Sequence, residues 1–87
     1  PSVGAILHVH SNAATVAGRL FEDQGAIDLT GWEMQKALAG QTTHEAVVRI
    51  PILPNNQDIE ALAALATARL AEEPDSVAYL IAGHGLY

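Results

Sequence analysis

The sequence contains no cysteine. Disulfide staples and thiolate metal sites are thereby excluded. Aromatic side chains are scarce, at 5% of the chain, so Ala, Leu, Ile and Val must carry the burial. Cations are scarce too: four Lys and Arg stand against ten Asp and Glu, for a net charge of −6. Nucleic acid is therefore not an expected partner, because neutralising phosphates requires clusters of Lys and Arg. The acidic residues are scattered, so no acidic tail is implied. No apolar run approaches the ~20 residues of a membrane span, and no signal-peptide pattern is present. The expectation is a soluble, cytoplasmic chain without a membrane partner.

At 87 residues the chain is one domain at most. A domain of this size hides only about 60–65% of the surface its unfolded chain exposes. Val3 to His10 (VGAILHVH) is an almost continuous apolar run, which predicts a strand inside a sheet. A chain that begins two residues before such a strand reads as a piece of something longer.

The middle of the chain alternates. Ser11 or Asn12 can cap a helix over residues 13–22, with Ala13, Ala14, Ala17, Leu20 and Phe21 on one stripe. Gly25 breaks it, and Ala26–Leu29 is a short extended piece. Thr30-Gly31-Trp32-Glu33 fits a capping box that opens a short helix through Ala39, with Gly40 as the stop. In that pattern Trp32 and Met34 are packing residues and Lys36 is a solvated charge. Ala46–Leu53 is a strand, and Pro51 inside it points to an edge position or an early end. Pro54-Asn55-Asn56 is turn chemistry. A helix from Gln57 to Glu73 follows, with Ile59, Leu62, Ala63, Ala66 and Leu70 at helical spacing and Pro74 as its stop. Ser76–Ala82 is a further strand, ended by Gly83-His84-Gly85. Helices alternating with strands define an α/β layered fold.

Four histidines carry the chemistry to be weighed. His8 and His10 share a strand face, with bases about 6–7 Å apart, so both rings can reach one metal ion. Both could equally be strand histidines hydrogen-bonded to neighbours. His84, between two glycines at a strand mouth, is by itself an exposed turn residue. Joined to His8 and His10 it completes a three-histidine set with coordination positions left open, the arrangement of a catalytic zinc. An all-nitrogen set suits Zn²⁺ without excluding Fe, Co or Mn. Glu33, three positions after Thr30, reads as the reciprocal member of the cap. His44 lies in a polar Thr-Thr-His-Glu turn and is expected to face solvent.

Several blocks in register resemble the class II aldolase/adducin superfamily: LHVHSNAATV, WEMQKALAG followed by TTHE, PILPNNQDIEALA and YLIAGHGLY. The likeness runs through nearly the whole chain and is greatest to the methylthioribulose-1-phosphate dehydratase group. It implies a three-layer α/β/α fold with a central, largely antiparallel sheet. Residues 1–87 would form its central to C-terminal part, without the N-terminal portion and C-terminal helix. It implies one zinc per subunit held by His8, His10 and His84. It also replaces the cap role of Glu33 with that of a general acid/base. A ketose phosphate would be the substrate, dehydrated in methionine salvage, with the phosphate held by residues outside this sequence. A homotetramer is implied, with active sites near subunit contacts. Alternatives are a sugar-phosphate aldolase or 4-epimerase using the same metal, or an interaction module like the adducin head. One departure stands out: Ala82 occupies the position before Gly-His-Gly where the dehydratase pattern has Arg.

Overall fold

The computed structural model describes residues 3–38 and 40–87. Its elements are α1 (Asn12–Leu20), a 3-10 turn (Glu22–Gln24), β1 (Ala26–Leu29), a second 3-10 helix (Glu33–Ala37), β2 (Val48–Leu53), α2 (Ile59–Glu72), β3 (Leu80–Ile81) and β4 (Gly85–Leu86). The strands form one sheet in the order β1-β2-β3-β4. β1 pairs antiparallel with β2, β2 parallel with β3, and β3 antiparallel with β4. The fold is therefore α/β, as expected, and its sheet is mixed.

β2 anchors the core. Val48, Ile50 and Ile52 alternate onto one face, where they form a buried cluster with Leu80 and Ala82. Pro51 and Leu53 are buried on the other face. The expectation of an edge strand at Pro51 is thus corrected, because β2 lies between β1 and β3. Hydrogen-bond phase explains how proline is tolerated. Ile52 N donates to Gly25 O at 2.8 Å, so the Pro51–Ala26 pair falls at a position that exchanges no bonds with β1. Toward β3, the ladder starts one residue later, at Ile52 and Leu80. No donor is missed on either side.

Ion pairs tie the surrounding elements to this strand. Arg49 faces Asp28 across the β1–β2 ladder at 3.2 Å and also reaches Glu73 at 3.1 Å. Arg69 binds the same Glu73 carboxylate at 3.0 Å and donates to Gly25 O at 2.9 Å. Asp58, rather than Gln57, starts α2, accepting from Ala61 N at 3.2 Å. Leu62, Ala66 and Leu70 are half-buried, whereas Ile59 and Ala63 of the expected stripe are exposed.

α1 is capped by Ser11, which accepts from Ala14 N at 3.2 Å. It packs on β3 and β4 through Ala14, Thr15, Ala17 and buried Gly18, while Leu20 and Phe21 face outward. The seam is therefore narrower than the apolar stripe suggests. A Cβ on Gly18 would meet the backbone of Ile81 and Ala82 at 3.5 Å, so the helix lies almost directly on β3.

Three other expectations are corrected. Residues Val3 to His10 do not form an interior strand: only Val9 pairs, as an isolated bridge with Leu86 at the β4 edge. Among the described residues no strand pairs beyond it, and Ile6 and Leu7 are 74% and 79% exposed. Trp32 and Met34 do not pack, being 66% and 78% exposed. The short helix is capped from another register. Trp32 N donates to Gln35 Oε1 at 2.9 Å, and Gln35 Nε2 donates to Ala46 O at 2.8 Å, which satisfies the one polar side chain that is buried among the described residues. Thr30 instead donates to Glu45 O, so Glu33 has no cap to close. That helix ends at Ala37; Ala39, the expected end, lies outside the described residues.

Candidate metal centre

Val9 and Leu86 exchange two backbone hydrogen bonds, of 3.0 and 2.9 Å. This antiparallel bridge sets the register of everything around it. Leu86 and Val9 share one face, so His8 falls opposite Tyr87 and His10 opposite Gly85 on the other. Gly85 matters because it has no side chain. A Cβ there would collide with the carbonyl oxygen of Val9 and stand 3.0 Å from His10 Cδ2 and 3.1 Å from His8 Cε1. Both imidazoles occupy the space that a side chain at position 85 would fill.

His84 arrives from the connection between β3 and β4. Gly83 adopts φ 65°, a left-handed conformation that glycine enters without strain. His84 N then donates to Ile81 O at 3.0 Å, and Thr15 Oγ1 of α1 donates to His84 O at 3.2 Å. The turn is thus held from both sides.

The result is a triangle of rings. Centroids lie 4.5 Å apart for His8 and His10, 4.7 Å for His10 and His84, and 5.2 Å for His8 and His84. One nitrogen from each ring lies within 4.8 Å of the others. His8 Nδ1 is 3.0 Å from Leu86 O. A carbonyl only accepts, so Nδ1 carries the proton and Nε2 presents its lone pair. That nitrogen faces His10 Nε2 at 2.7 Å, which bridges to it as an N–H···N hydrogen bond. A metal ion would take the place of that shared proton. Zinc–nitrogen bonds of 2.0–2.1 Å imply tetrahedral donors about 3.3 Å apart, and one donor atom from each of the three rings lies within 4.8 Å of the others. The second nitrogen of His8 already has the carbonyl partner that metal-bound histidines require. The three residues fit a borderline divalent metal such as zinc.

Neighbouring charge and aromatic groups complete the surroundings. A Cβ on Gly83 would stand 3.1 Å from both Nε and Nη2 of Arg19. α1 therefore brings a guanidinium to the turn that carries His84, one residue from buried Ala82. Tyr87 stacks on His8, and Tyr79 on Tyr87. Burial, and secondarily the neighbouring Tyr87, holds the Tyr79 phenol above its usual pKa of 10.0, so this ring stays neutral near pH 7.

Glu33 is not brought to the three rings. It follows β1, at the opposite edge of the sheet from the Val9–Leu86 bridge. Its exposed carboxylate binds Lys36 Nζ at 2.7 Å and His44 Nδ1 at 3.1 Å. His44, expected to face solvent, is half-buried in that contact. The sequence marked Gly85 only as one of the two glycines that let the chain turn at His84, and it did not point to Thr15, the Leu86 carbonyl or Tyr87.

A mixed α/β sheet whose edge gathers three histidines agrees with what comparison shows: the chain belongs to the class II aldolase and adducin N-terminal domain family, whose model matches residues 1–87. Among curated relatives, one from Parvibaculum lavamentivorans, named methylthioribulose-1-phosphate dehydratase, is 54% identical over the full chain, which covers 43% of that relative. Proteins of the same name from Pseudomonas fluorescens and Sorangium cellulosum are 52% and 48% identical, with 41% and 40% of their lengths covered. The chain thus spans about two-fifths of the length of the relatives it matches. Among the described residues, no helix is long and apolar enough to cross a membrane.

Proposed function

We propose that this chain forms the metal-bearing part of a cytoplasmic lyase that dehydrates 5-methylthioribulose 1-phosphate to 2,3-diketo-5-methylthiopentyl 1-phosphate, a step of methionine salvage. The observation that carries the reading is the convergence of His8, His10 and His84 on one point. The names of relatives that match end to end with the chain support the substrate. In the full-length protein, residues 1–87 would be the central to C-terminal part of a three-layer α/β/α domain. Further segments would hold the phosphate and build a homotetramer.

His8, His10 and His84 would hold zinc, one ion per subunit. When bound, such a cation supplies Lewis acidity toward carbonyl and hydroxyl oxygens, worth several kcal/mol at developing negative charge. The remaining work falls to the chain. His8 and His10 keep their donor atoms together through the Val9–Leu86 bridge, and Thr15 fixes the backbone of His84. The Glu33 carboxylate takes the proton from carbon 3 of the ketose, next to its carbonyl, and returns it to the hydroxyl on carbon 4, which departs as water. The enol that remains ketonises to the diketone. Lys36 and His44 hold the Glu33 carboxylate; it follows β1, at the other edge of the sheet from the histidines, so its role requires the full-length assembly to bring it to the substrate. Arg19 contributes positive charge beside the histidine turn for an anionic substrate.

The product tests the reaction class. The full-length protein, loaded with zinc and given the ketose phosphate, is expected to form the diketone and one water per turnover. Release of an aldehyde would assign it to aldol cleavage. An unchanged substrate pool in the presence of bound zinc would leave the dehydratase reading without support.

A further inference from the structure

We infer that Tyr87 is a positioning residue for the metal ligand His8, and that Tyr79 holds Tyr87 in place; the inference rests on the reading of the three histidines as a metal site. The three rings form one continuous stack. Tyr87 and His8 have centroids 3.8 Å apart and planes inclined by 14°, and Tyr79 and Tyr87 are 5.0 Å apart at 7°.

Backbone pairing dictates these spacings. Val9 and Leu86 exchange both of their hydrogen bonds, so the next pair, His8 opposite Tyr87, exchanges none. Cα atoms of such a pair approach to ~4.5 Å, which presses the side chains together. On its other side Tyr87 exchanges two bonds of 2.9 Å with Tyr79. Pairs of that kind hold their Cα atoms ~5.5 Å apart, and the rings separate accordingly. The stack therefore crosses three neighbouring backbone segments at consecutive ladder positions.

Two constraints then act on one exposed imidazole. The hydrogen bond from His8 Nδ1 to Leu86 O, 3.0 Å long, fixes a direction within the ring plane. The face of Tyr87 fixes the plane itself. Together they leave a single orientation, in which Nε2 points at His10 Nε2. Without the stack, the ring could turn about its hydrogen bond and carry Nε2 away from the other donors. A flat aromatic face is what the role demands, and the phenolic hydroxyl is not.

The test uses the full-length protein and a zinc titration in competition with a chromophoric chelator. Tyr87→Phe is expected to bind zinc as the unaltered protein does. Tyr87→Leu, apolar but without a flat face, is expected to lose about 10–100-fold in affinity, the range found when partners of metal-bound histidines are removed. A metal-free readout runs alongside. The His8 ring protons, shifted upfield in the NMR spectrum by the stacked tyrosine, should keep that shift in Tyr87→Phe and lose it in Tyr87→Leu. Should Tyr87→Leu fail to fold, Tyr79→Leu, one ring further from His8, is expected to show a smaller loss in the same direction. Unaltered zinc affinity in the folded leucine variants overturns the inference, as does an equal loss in Tyr87→Phe. If the unaltered protein binds no zinc while the upfield shift is present, the metal reading has failed and the inference falls with it.

Discussion

Replacing Gly85 with alanine should cost the protein its metal and loosen the β4 edge. A single methyl group there runs into the carbonyl oxygen of Val9, a backbone atom held by the hydrogen bond it accepts from Leu86 N. The same methyl stands 3.0 Å from His10 Cδ2 and 3.1 Å from His8 Cε1, closer than carbon atoms normally approach. The segment carrying both histidines must move outward, taking two of the three donors with it. Overpacking of this kind typically costs about 1–3 kcal/mol. Zinc affinity should fall by more than the ~10–100-fold expected for disturbing an outer partner, because the ligands themselves shift. Chelator competition reads the affinity, and thermal unfolding of the metal-free protein reads the packing cost separately. Gly85→Ala with normal affinity would mean that this approach of Val9 to Gly85 is absent from the protein.

Replacing Glu33 with glutamine should have the opposite profile, with metal retained and turnover lost. Glutamine keeps the size of the side chain and an oxygen to receive Lys36 Nζ, now 2.7 Å from Glu33. It cannot carry a proton. A positioned acid or base contributes about 10²–10⁴-fold to rate, so kcat should drop within that range. Metal content should not change, since Glu33 lies at the other edge of the sheet from the histidines. A variant that retains normal kcat would transfer the proton step to another group.

How much of this was legible in the sequence depends on how far each feature reaches. Features fixed by neighbours within a few positions read well. The Ser11 cap, the extended Ala26–Leu29 and the α2 helix ending before Pro74 were all visible as local chemistry. The three histidines were visible as candidates because His8-Val9-His10 and Gly83-His84-Gly85 are compact patterns, although their convergence depended on the fold.

Features set by what lies across the sheet did not read. An apolar run such as Val3 to His10 signals burial only if something covers it, and among the described residues it pairs only through the Val9–Leu86 bridge and leaves Ile6 and Leu7 exposed. Pro51 looked like an edge marker because its missing N–H is a liability in most ladder positions. The phase of the β1–β2 bonds and the late start of the β3 pairing remove that liability, and neither is encoded near Pro51. β4 is two residues long and has no periodicity to recognise. The cap of the short helix shifted from Thr30 to Trp32, because Gln35 can bond forward to Ala46 as well as back. The stack on His8 joins residues far apart in sequence, and only the Val9–Leu86 register reveals it.

His8, His10 and His84 are expected to bind one metal ion together. X-ray absorption at the zinc edge, on full-length protein carrying one zinc per subunit, reads the ligands themselves. Three imidazole nitrogens at about 2.0–2.1 Å are expected, with the remaining shell open to oxygen. His84→Ala should remove one of them and weaken binding. A shell of oxygens alone, or a spectrum that His84→Ala leaves unchanged, would contradict joint binding by the three histidines.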